Sequence, residues 1–202
     1  MIAVALSESE RVRRRLRDAR VGIVGLGGLG SNVAWMLVRA GVGALVLADH
    51  DVVDASNLDR QFYFLDQIGL PKTEALASNL RRIRPDVQLD LHRVRVSREN
   101  LPHLFAGCDV VVEAVDAASE KAAVIEGCCD ALPETPLVAA SGIAGAGSAN
   151  SIVTRRLGEK VWLCGDAETP ADGHALVASR VAAAAAHQAH MVVRILLGDL
   201  EP

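Results

Sequence analysis

The chain has 202 residues and a formal net charge of −4; half of its residues are apolar, but only 3% are aromatic. This length can form one compact α/β domain, and the core must be built from Val, Leu, Ile and Ala, as in a parallel sheet covered by helices. The acidic balance argues against a general nucleic-acid-binding protein. No apolar run approaches the roughly 20 residues that span a bilayer, so no membrane association is expected.

The N-terminus and the cysteines bear on the cellular compartment. Residues 1–20 place a short apolar stretch before a run of charges, the reverse of a secretory signal, so we expect a cytoplasmic protein. Its four cysteines should then be reduced thiols rather than disulfides. No C-x-x-C pair is present, so no structural zinc site is expected. His187 and His190 have a spacing that can bind metal, but no third ligand is evident, and we predict no metal site there.

Hydrophobic periodicity and Gly/Pro breaks predict alternating helices and strands. Helices are expected at residues 8–18, 31–40, 72–84, 118–131 and 174–197. Strands are expected at 20–24, 44–49, 87–94, 109–115 and 136–141, with SIVTR (151–155) and KVWLC (160–164) as an antiparallel extension. The stretches predicted to be irregular are 50–71 and 142–150. This order predicts a single α/β domain over 1–202, with a doubly wound, Rossmann-like, mainly parallel sheet, helices on both faces, and a nucleotide-binding half at about 20–118.

A glycine-rich turn follows the first strand and opens a helix. Gly25, Gly27 and Gly30 have the G-x-G-x-x-G spacing, and Gly28 is a further position of the turn without a side chain. Glycine permits a tight turn, lets backbone N–H groups approach phosphate oxygens and lets the helix lie close to the sheet, while the helix N-terminus favours an anion. Asp49, at the end of the second strand, is placed to bind ribose hydroxyls. The alternative is a turn needed only for packing, and the turn does not identify the nucleotide.

A cluster of polar side chains narrows the chemistry. Asn57, Arg60 and Gln61 lie just beyond the second strand, and Lys72 begins the next predicted helix. Asp116 follows the fourth strand, where an acid could hold Mg²⁺ or face the substrate. A nicotinamide enzyme needs a dry slot for hydride transfer rather than such a cluster, whereas an enzyme that moves charge onto phosphate oxygens needs these cations. Each residue alone could be solvated surface, but the conjunction indicates ATP chemistry.

On these motifs the chain resembles the ThiF/MoeB adenylyltransferases, which are relatives of the ubiquitin-activating enzymes. The matching segments are GLGGLGS (25–31), AGVG (40–43), LADHD (47–51), SNLDRQ (56–61), IGLPKTEA (68–75), IRPDVQL (83–89) and VVVEAVDA (110–117). The similarity runs from about residue 20 to 145, and SNLDRQ followed by GLPK is highly specific. The short length and the missing zinc cysteines are most similar to the compact ThiF group of bacterial thiamine biosynthesis.

The resemblance implies an enzyme that uses ATP and Mg²⁺ to adenylate the C-terminal Gly-Gly carboxylate of a ThiS-like sulfur carrier protein, and it implies a homodimer. It implies catalytic roles for Arg60, Lys72 and Asp116, of which Asp116 would bind Mg²⁺. It implies nucleotide binding by the glycine turn, the ribose acid and the polar loop, namely Gly25, Gly27, Gly28, Gly30, Asp49, Asp51, Asn57, Arg60, Gln61 and Lys72.

Two features of the resemblance stay open in the sequence. Relatives often supply an arginine from a partner subunit's N-terminal helix, and a solvated basic helix is the favoured alternative for each candidate here: Arg11, Arg13, Arg14, Arg15 and Arg17. The thiol that would pass on sulfur is also open. Cys164, which precedes a loop with Gly and Pro, is the candidate for an accessible thiol, whereas Cys108, Cys128 and Cys129 are expected to pack in the core.

Three alternative functions are compatible with the same motifs. An adenylating enzyme could act on a tRNA-borne or peptide carboxylate, although the acidic charge disfavours tRNA. A non-catalytic nucleotide-binding subunit is disfavoured because such subunits often lose the loop arginine or the strand-end acid, and Arg60 and Asp116 are both present. A nicotinamide dehydrogenase would bind NADH and not ATP.

Overall fold

A seven-stranded sheet organises the chain in the computed structural model, which describes residues 7–169 and 173–202. The strand order is β3-β2-β1-β4-β5-β7-β6, and neighbouring strands are parallel except for the antiparallel pair β6 and β7. The strands are β1 (Arg20–Val24), β2 (Ala44–Ala48), β3 (Gln88–His92), β4 (Val110–Glu113), β5 (Leu137–Ala140), β6 (Val153–Arg156) and β7 (Val161–Gly165). The predicted doubly wound, mainly parallel, Rossmann-like sheet is confirmed.

Helices cover both faces of the sheet. They are α1 (Glu8–Arg17), α2 (Gly28–Ala40), α3 (Lys72–Ile83), α4 (Leu101–Phe105), α5 (Ala118–Ala131) and α6 (Ala178–Leu196), with 3-10 turns at Ala55–Asn57, Leu65–Gln67 and Ala149–Ser151. The helix predicted from residue 31 starts three residues earlier, because the glycine turn itself forms the first helical turn. The short helix α4 was not predicted, since five residues are too few to show helical periodicity.

The C-terminal strands differ from the prediction in one respect. Both C-terminal strands were predicted to form an antiparallel extension, but β7 pairs in parallel with β5 and so continues the main sheet. Only β6 is antiparallel, and it forms the outer edge. The last helix starts at Ala178 rather than residue 174. Residues 170–172, in the segment between β7 and α6, lie outside the described residues.

Helix ends are encoded locally. Ser7 and Glu10 form a capping box at the start of α1: the Ser7 hydroxyl accepts from the Glu10 N–H at 3.3 Å, and the Glu10 carboxylate accepts from the Ser7 N–H at 2.8 Å. Gly41 ends α2 with φ of 108°, a left-handed conformation that glycine adopts readily, and its N–H donates to the Leu37 carbonyl at 3.1 Å. The Gly41 cap sets the end of α2, the helix that begins at the glycine turn.

The core has two layers, one on each face of the sheet. Along β1, Val21 and Ile23 face the layer that contains α2 and α6, whereas Val24 faces the layer under α4 and α5. Gly22 also faces that second layer, where an added Cβ would lie 2.4 Å from the ring of Phe105. Both faces of β1 are therefore buried, which places its carboxyl end, and the glycine turn, at the centre of the fold.

No helix in the described parts of the chain combines the length and the apolar character needed to cross a lipid bilayer.

Replacing Leu37 by Ala should lower the free energy of unfolding by about 2–5 kcal/mol, because its fully buried side chain fills the layer between the sheet and α6. Leu65→Ala is the matched control; its side chain is 79% exposed, and the change should stay within about 0.5 kcal/mol. Urea unfolding monitored by circular dichroism measures both values. Equal losses for the two variants would contradict this packing.

Candidate functional site

A cleft of about 860 Å³, a volume that includes open solvent, lies at the carboxyl ends of the central strands. Ligands bind at this edge in open α/β sheets. The cleft brings together most of the predicted site residues, which are Gly25, Gly27, Gly28, Asp49, Asp51, Arg60, Gln61, Lys72 and Asp116. Two predicted residues, Gly30 and Asn57, do not line it.

The glycine turn is built by close approaches of backbone to backbone. An added Cβ on Gly30 would lie 1.9 Å from the Gly25 carbonyl oxygen, and one on Gly25, whose φ is 86°, would lie 2.8 Å from the Ala114 carbonyl oxygen. Gly27 is different, because the nearest atom to an added Cβ is the Gln61 amide nitrogen at 3.7 Å. Gly25 and Gly30 therefore serve packing, whereas Gly27 leaves open space where a phosphate could approach the start of α2.

Asp49 joins the end of β2 to the glycine turn. Its carboxylate accepts from the Leu26 N–H at 2.6 Å and from the Asp51 N–H at 2.8 Å, and the residue is 8% exposed. The Tyr63 hydroxyl donates to the Leu26 carbonyl at 2.8 Å; burial and the charge of Asp49 raise the pKa of Tyr63 well above its usual value, so the hydroxyl stays protonated. The Asp49 carboxylate is thus fixed at the cleft, where ribose hydroxyls could donate to it.

Two cations enter the cleft from the loop after β2 and the start of α3. Arg60 donates to the Ser56 carbonyl at 3.0 Å and to the Asp59 carboxylate at 2.7 Å, and its stem lies over Gly28. Lys72 donates to the Asp51 carboxylate at 2.8 Å, and its side chain is 8% exposed. Burial acts to raise the pKa of Asp51, but the hydrogen bond and charge of Lys72 outweigh it and lower that pKa. Asp51 is therefore an anion at neutral pH.

Gln61 and Asn57 occupy different environments. The Gln61 side-chain oxygen is buried without a hydrogen-bond partner, although the residue lines the cleft. Such an orphaned acceptor fits a site that a ligand completes. Asn57 instead accepts from the Asp54 N–H at 3.3 Å and caps the 3-10 turn, so its side chain shapes the loop rather than the cleft.

Two residues that sequence reasoning missed tie this loop to the glycine turn. Ser31 is fully buried; its hydroxyl donates to the Gly27 carbonyl at 2.6 Å and accepts from the Phe62 N–H at 3.0 Å. Asn32 donates to the Gly28 carbonyl at 2.7 Å and to the Arg60 carbonyl at 3.0 Å. The signal for them was a polar pair directly after the glycine turn, on a helix whose neighbouring positions are apolar.

Asp116 lies three residues past β4 and lines the cleft, as predicted. The turn that carries it is held by Glu113, a fully buried acid that accepts from Lys121 at 2.6 and 2.7 Å and from the Val115 N–H at 2.9 Å. Burial raises the pKa of Glu113, and the charge of Lys121 opposes that shift. Sequence reasoning missed Glu113; its signal was a charged residue inside the apolar strand VVVEAV.

A bridge of charged side chains was also missed at one wall of the cleft. Arg95 lies 3.3 Å from the Glu120 carboxylate and 3.3 Å from a ring nitrogen of His50, and all three residues line the cleft. In the sequence, Arg95 lies just beyond a predicted strand, and nothing there distinguishes an arginine at the cleft from one in solvent. The bridge joins the segments that follow β2, β3 and β4.

A divalent cation could be held at two places in the cleft. Asp49, His50 and Asp51 bring one ligand atom each within 4.8 Å of one another, but Asp49 already accepts two backbone N–H groups and Asp51 already pairs with Lys72. Asp116 offers a carboxylate on the same cleft without that cationic neighbour. Mg²⁺ is usually held by one or two carboxylates together with substrate phosphates, so Asp116 fits such an ion better.

The model of the ThiF family matches residues 2–202. The chain belongs to the ThiF family. Among curated relatives, it is 45% identical over 103 residues to the SAMP-activating enzyme E1 of Haloferax volcanii, covering 50% of this chain and 38% of that one. It is 41% identical over 132 residues to the sulfur carrier protein ThiS adenylyltransferase of Escherichia coli, covering 65% and 52%. These matches span about half, or less, of the relatives' own length.

Solved structures share the fold of this ThiF-family chain. The tRNA N6-threonylcarbamoyladenosine dehydratase TcdA of E. coli, solved in complex with ATP, has a TM-score of 0.85 at 23% identity and covers 95% of this chain and 90% of its own. E. coli MccB with ATP has a TM-score of 0.72 at 22% identity, over 92% and 57% of the two chains. At these identities the likeness shows the fold alone.

The cysteines of the ThiF-family chain correct two expectations, those for Cys164 and Cys129. Cys164 is fully buried in β7, and burial raises its pKa to about 11, so the expected accessibility of this thiol is wrong. Its neighbour is the Thr154 hydroxyl at 3.6 Å, which in turn lies 3.0 Å from a ring nitrogen of His187. Cys128 is buried as expected, whereas Cys129 is exposed.

The basic N-terminal helix lies away from the cleft within one chain. Its residues are absent from the described lining of the cleft, and Arg15 donates to the Leu196 carbonyl at the end of α6 at 2.8 Å. A role for Arg11, Arg13, Arg14 or Arg17 across a dimer stays a prediction.

Gly27→Ala and Gly30→Ala should separate the two tasks of the glycine turn. Gly30→Ala should destabilise the fold by about 1–3 kcal/mol or more, because its Cβ has no room against Gly25. Gly27→Ala should leave stability within about 1 kcal/mol but weaken ATP binding, because its Cβ occupies the open space of the turn. Thermal unfolding and calorimetric titration measure the two effects. Unchanged ATP affinity for Gly27→Ala would contradict the phosphate assignment.

Proposed function

We propose that the chain is an adenylyltransferase that uses ATP and Mg²⁺ to activate the C-terminal Gly-Gly carboxylate of a ThiS-like sulfur carrier. The observation that carries the proposal is the convergence of Arg60 and Lys72 on the cleft that also holds the open glycine turn and Asp116. The named activity of the E. coli ThiS adenylyltransferase supports the choice of carrier. The ATP in the TcdA and MccB structures supports the choice of nucleotide.

The chemistry needs positioning and charge rather than a general base. A carboxylate is ionised at pH 7, so its oxygen can attack the α-phosphorus directly. The bond from that phosphorus to the bridging oxygen breaks, and pyrophosphate leaves with the electron pair. Arg60 and Lys72 would bind phosphate oxygens and stabilise the charge that moves to pyrophosphate. Mg²⁺ held by Asp116 would supply further neutralisation of the phosphates.

The remaining residues would hold the nucleotide. Asp49 would accept hydrogen bonds from the ribose, and the N–H groups at Gly27 and Gly28 would contact phosphates. Gln61, whose amide nitrogen lies near the Gly27 backbone, would support them. Asp51 would keep Lys72 oriented, and Asn57 would act through the shape of its loop. The position of each residue relative to the cleft supports these proposed roles.

The proposal includes the cellular setting. A ThiS-like carrier would place the reaction in thiamine thiazole biosynthesis, in the cytoplasm. The chain would act as a single-domain homodimer, without zinc, and sulfur transfer would use a thiol other than the buried Cys164.

A tRNA-borne carboxylate is the second candidate function. The fold of TcdA, a tRNA-modifying dehydratase, covers nearly the whole of both chains, which favours this candidate. The net charge of −4 counts against it, because tRNA binding requires cationic surface.

ATP–pyrophosphate exchange distinguishes these candidates. Exchange should appear when a carrier ending in Gly-Gly from the same genome is added, and it should vanish with the same carrier lacking its last glycine. Total tRNA in place of the carrier should give no exchange. Exchange with tRNA alone would support the second candidate, and no exchange with any genomic carrier would contradict the first.

Arg60→Ala should lower the exchange rate by at least about 100-fold, because the guanidinium would no longer stabilise charge on the phosphates. The fold should survive, since the ion pair of Arg60 with Asp59 is open to water and worth less than about 1 kcal/mol. Arg39→Ala, an exposed arginine on α2, is the matched control and should keep full activity. Retained exchange in Arg60→Ala would count heavily against the phosphate role.

A further inference from the structure

A buried arginine at the start of α6 binds two loops at once. Arg180 is 4% exposed, and its guanidinium forms an ion pair with the Asp166 carboxylate. Its other partners are all in the loop after β5: the carbonyl oxygens of Ala144 at 3.0 Å, Gly147 at 3.1 Å and Ser148 at 2.7 Å, and the Ser151 hydroxyl at 3.3 Å. One side chain therefore donates hydrogen bonds to three carbonyl groups of a loop that lies outside the strands.

Asp166 fixes the second loop, which follows β7. It accepts from the Glu168 N–H at 2.8 Å, the Thr169 N–H at 2.9 Å and the Thr169 hydroxyl at 2.7 Å. The two loops are also packed directly: Gly142 has φ of 71°, and an added Cβ there would lie 1.9 Å from an Asp166 carboxylate oxygen. Arg180 and Asp166 thus form the joint between the segments that leave β5 and β7.

Ile143, in the loop held by Arg180 (residues 142–151), lies in the wall of the cleft. Ile143, Leu176 and Val181 line the cleft together, and the Gly145 N–H donates to the Ala175 carbonyl at 2.8 Å. Because β5 lies next to β4, this loop emerges beside the segment that carries Asp116. Arg180 itself does not line the cleft, so it can act there only through the loop.

The nucleotide contacts are assigned to other segments of the cleft lining. Asp49, Gly27, Arg60 and Lys72 all belong to the segments that follow β1 and β2. Residues 142–151 bring the apolar side chain of Ile143 to the cleft and are otherwise rich in glycine and alanine. Such a segment can pack against an extended peptide, and it carries no charged side chain for a phosphate.

We propose that Arg180, with Asp166, is a positioning residue that fixes residues 142–151 as the acceptor-side wall and so sets the affinity for the incoming carboxylate chain. This inference rests on the proposed adenylation of a carrier tail. A purely structural ion pair is the competing explanation, and it predicts a loss of stability without a selective effect on the acceptor.

The test compares Arg180→Met with Arg194→Met. Arg194 lies on the same helix, pairs with Asp199 at 2.6 Å and donates to the Glu201 carbonyl at 2.9 Å, but it is far along α6 from the loop. With the Gly-Gly carrier that supports exchange, Arg180→Met should raise the KM for carrier by about 10- to 100-fold, with kcat and the Kd for ATP nearly unchanged. Amide hydrogen exchange in residues 142–151 should become faster. Arg194→Met should show neither change.

Two milder variants keep the proposal testable if Arg180→Met does not fold. Asp166→Asn keeps the hydrogen-bond acceptor and loses the charge, and Arg180→Lys keeps the charge but not the planar set of donors. Both should raise the KM for carrier in the same direction, by less than Arg180→Met.

Three outcomes would overturn the inference. One is an unchanged KM for carrier in folded Arg180→Met. Another is a rise in the Kd for ATP as large as the rise in KM, and the third is unchanged amide exchange in residues 142–151. Failure of the proposed function is a separate result, since it appears as no exchange in the wild-type protein with any Gly-Gly carrier.

Discussion

The close approach of α2 to the end of β1 is the constraint on which the site depends. Gly30 has no room for a Cβ against the Gly25 carbonyl, and Gly25 has none against Ala114 at the end of the neighbouring strand. The Asp49 carboxylate then ties the end of β2 to the same turn through the Leu26 N–H. Because three parallel strands end at this contact, the N-terminus of α2 points into the cleft with little freedom to move.

The charges around the turn are balanced by exposed acids. Arg60 pairs with Asp59 and Lys72 pairs with Asp51, and the side chains of these acids are 65% and 51% exposed. Ion pairs that are open to water are weak, so multiply charged phosphates can take over as partners at small cost. The acids keep the two cations oriented toward the cleft, while Ser31 and Asn32 hold the loop of Arg60 against the turn.

The sequence predicted the parts of this protein that depend on local pattern. The glycine spacing, the buried strands and the polar loop are all short-range features, and they placed Asp49, Arg60, Lys72 and Asp116 at one edge of the sheet. The prediction failed where long-range packing decides. Cys164 precedes a loop that looks flexible in the sequence, yet its side chain on β7 is fully buried.

Buried polar residues were the hardest to predict. Apart from the Val115 N–H, the hydrogen-bond partners of the Glu113 and Arg180 side chains lie 8 to 36 residues away in sequence, so local pattern does not identify these partners. Glu113 could be suspected as a charge within an apolar strand, but Arg180 is an ordinary residue at the start of an Ala-rich helix. Its importance follows only from the loop carbonyls that surround it.

The choice of acceptor is separate from the binding of the nucleotide. The glycine turn and the cations suit any ATP-activated carboxylate, and this fold is shared by the tRNA-modifying dehydratase TcdA and by MccB. In our proposal, selectivity for a Gly-Gly tail resides in residues 142–151, which are small apart from Ile143 and Asn150. The proposed nucleotide contacts and the proposed acceptor wall come from different segments of the chain.

The most direct measurement is a single-turnover reaction with ATP labelled at its α-phosphate, the Gly-Gly carrier and excess enzyme, quenched in acid. The account predicts that the label moves to the carrier while an equal amount of pyrophosphate is released, and that ATP labelled at the γ-phosphate leaves the carrier unlabelled. Label that stays with the nucleotide for every genomic carrier, together with binding of NADH in place of ATP, would contradict it.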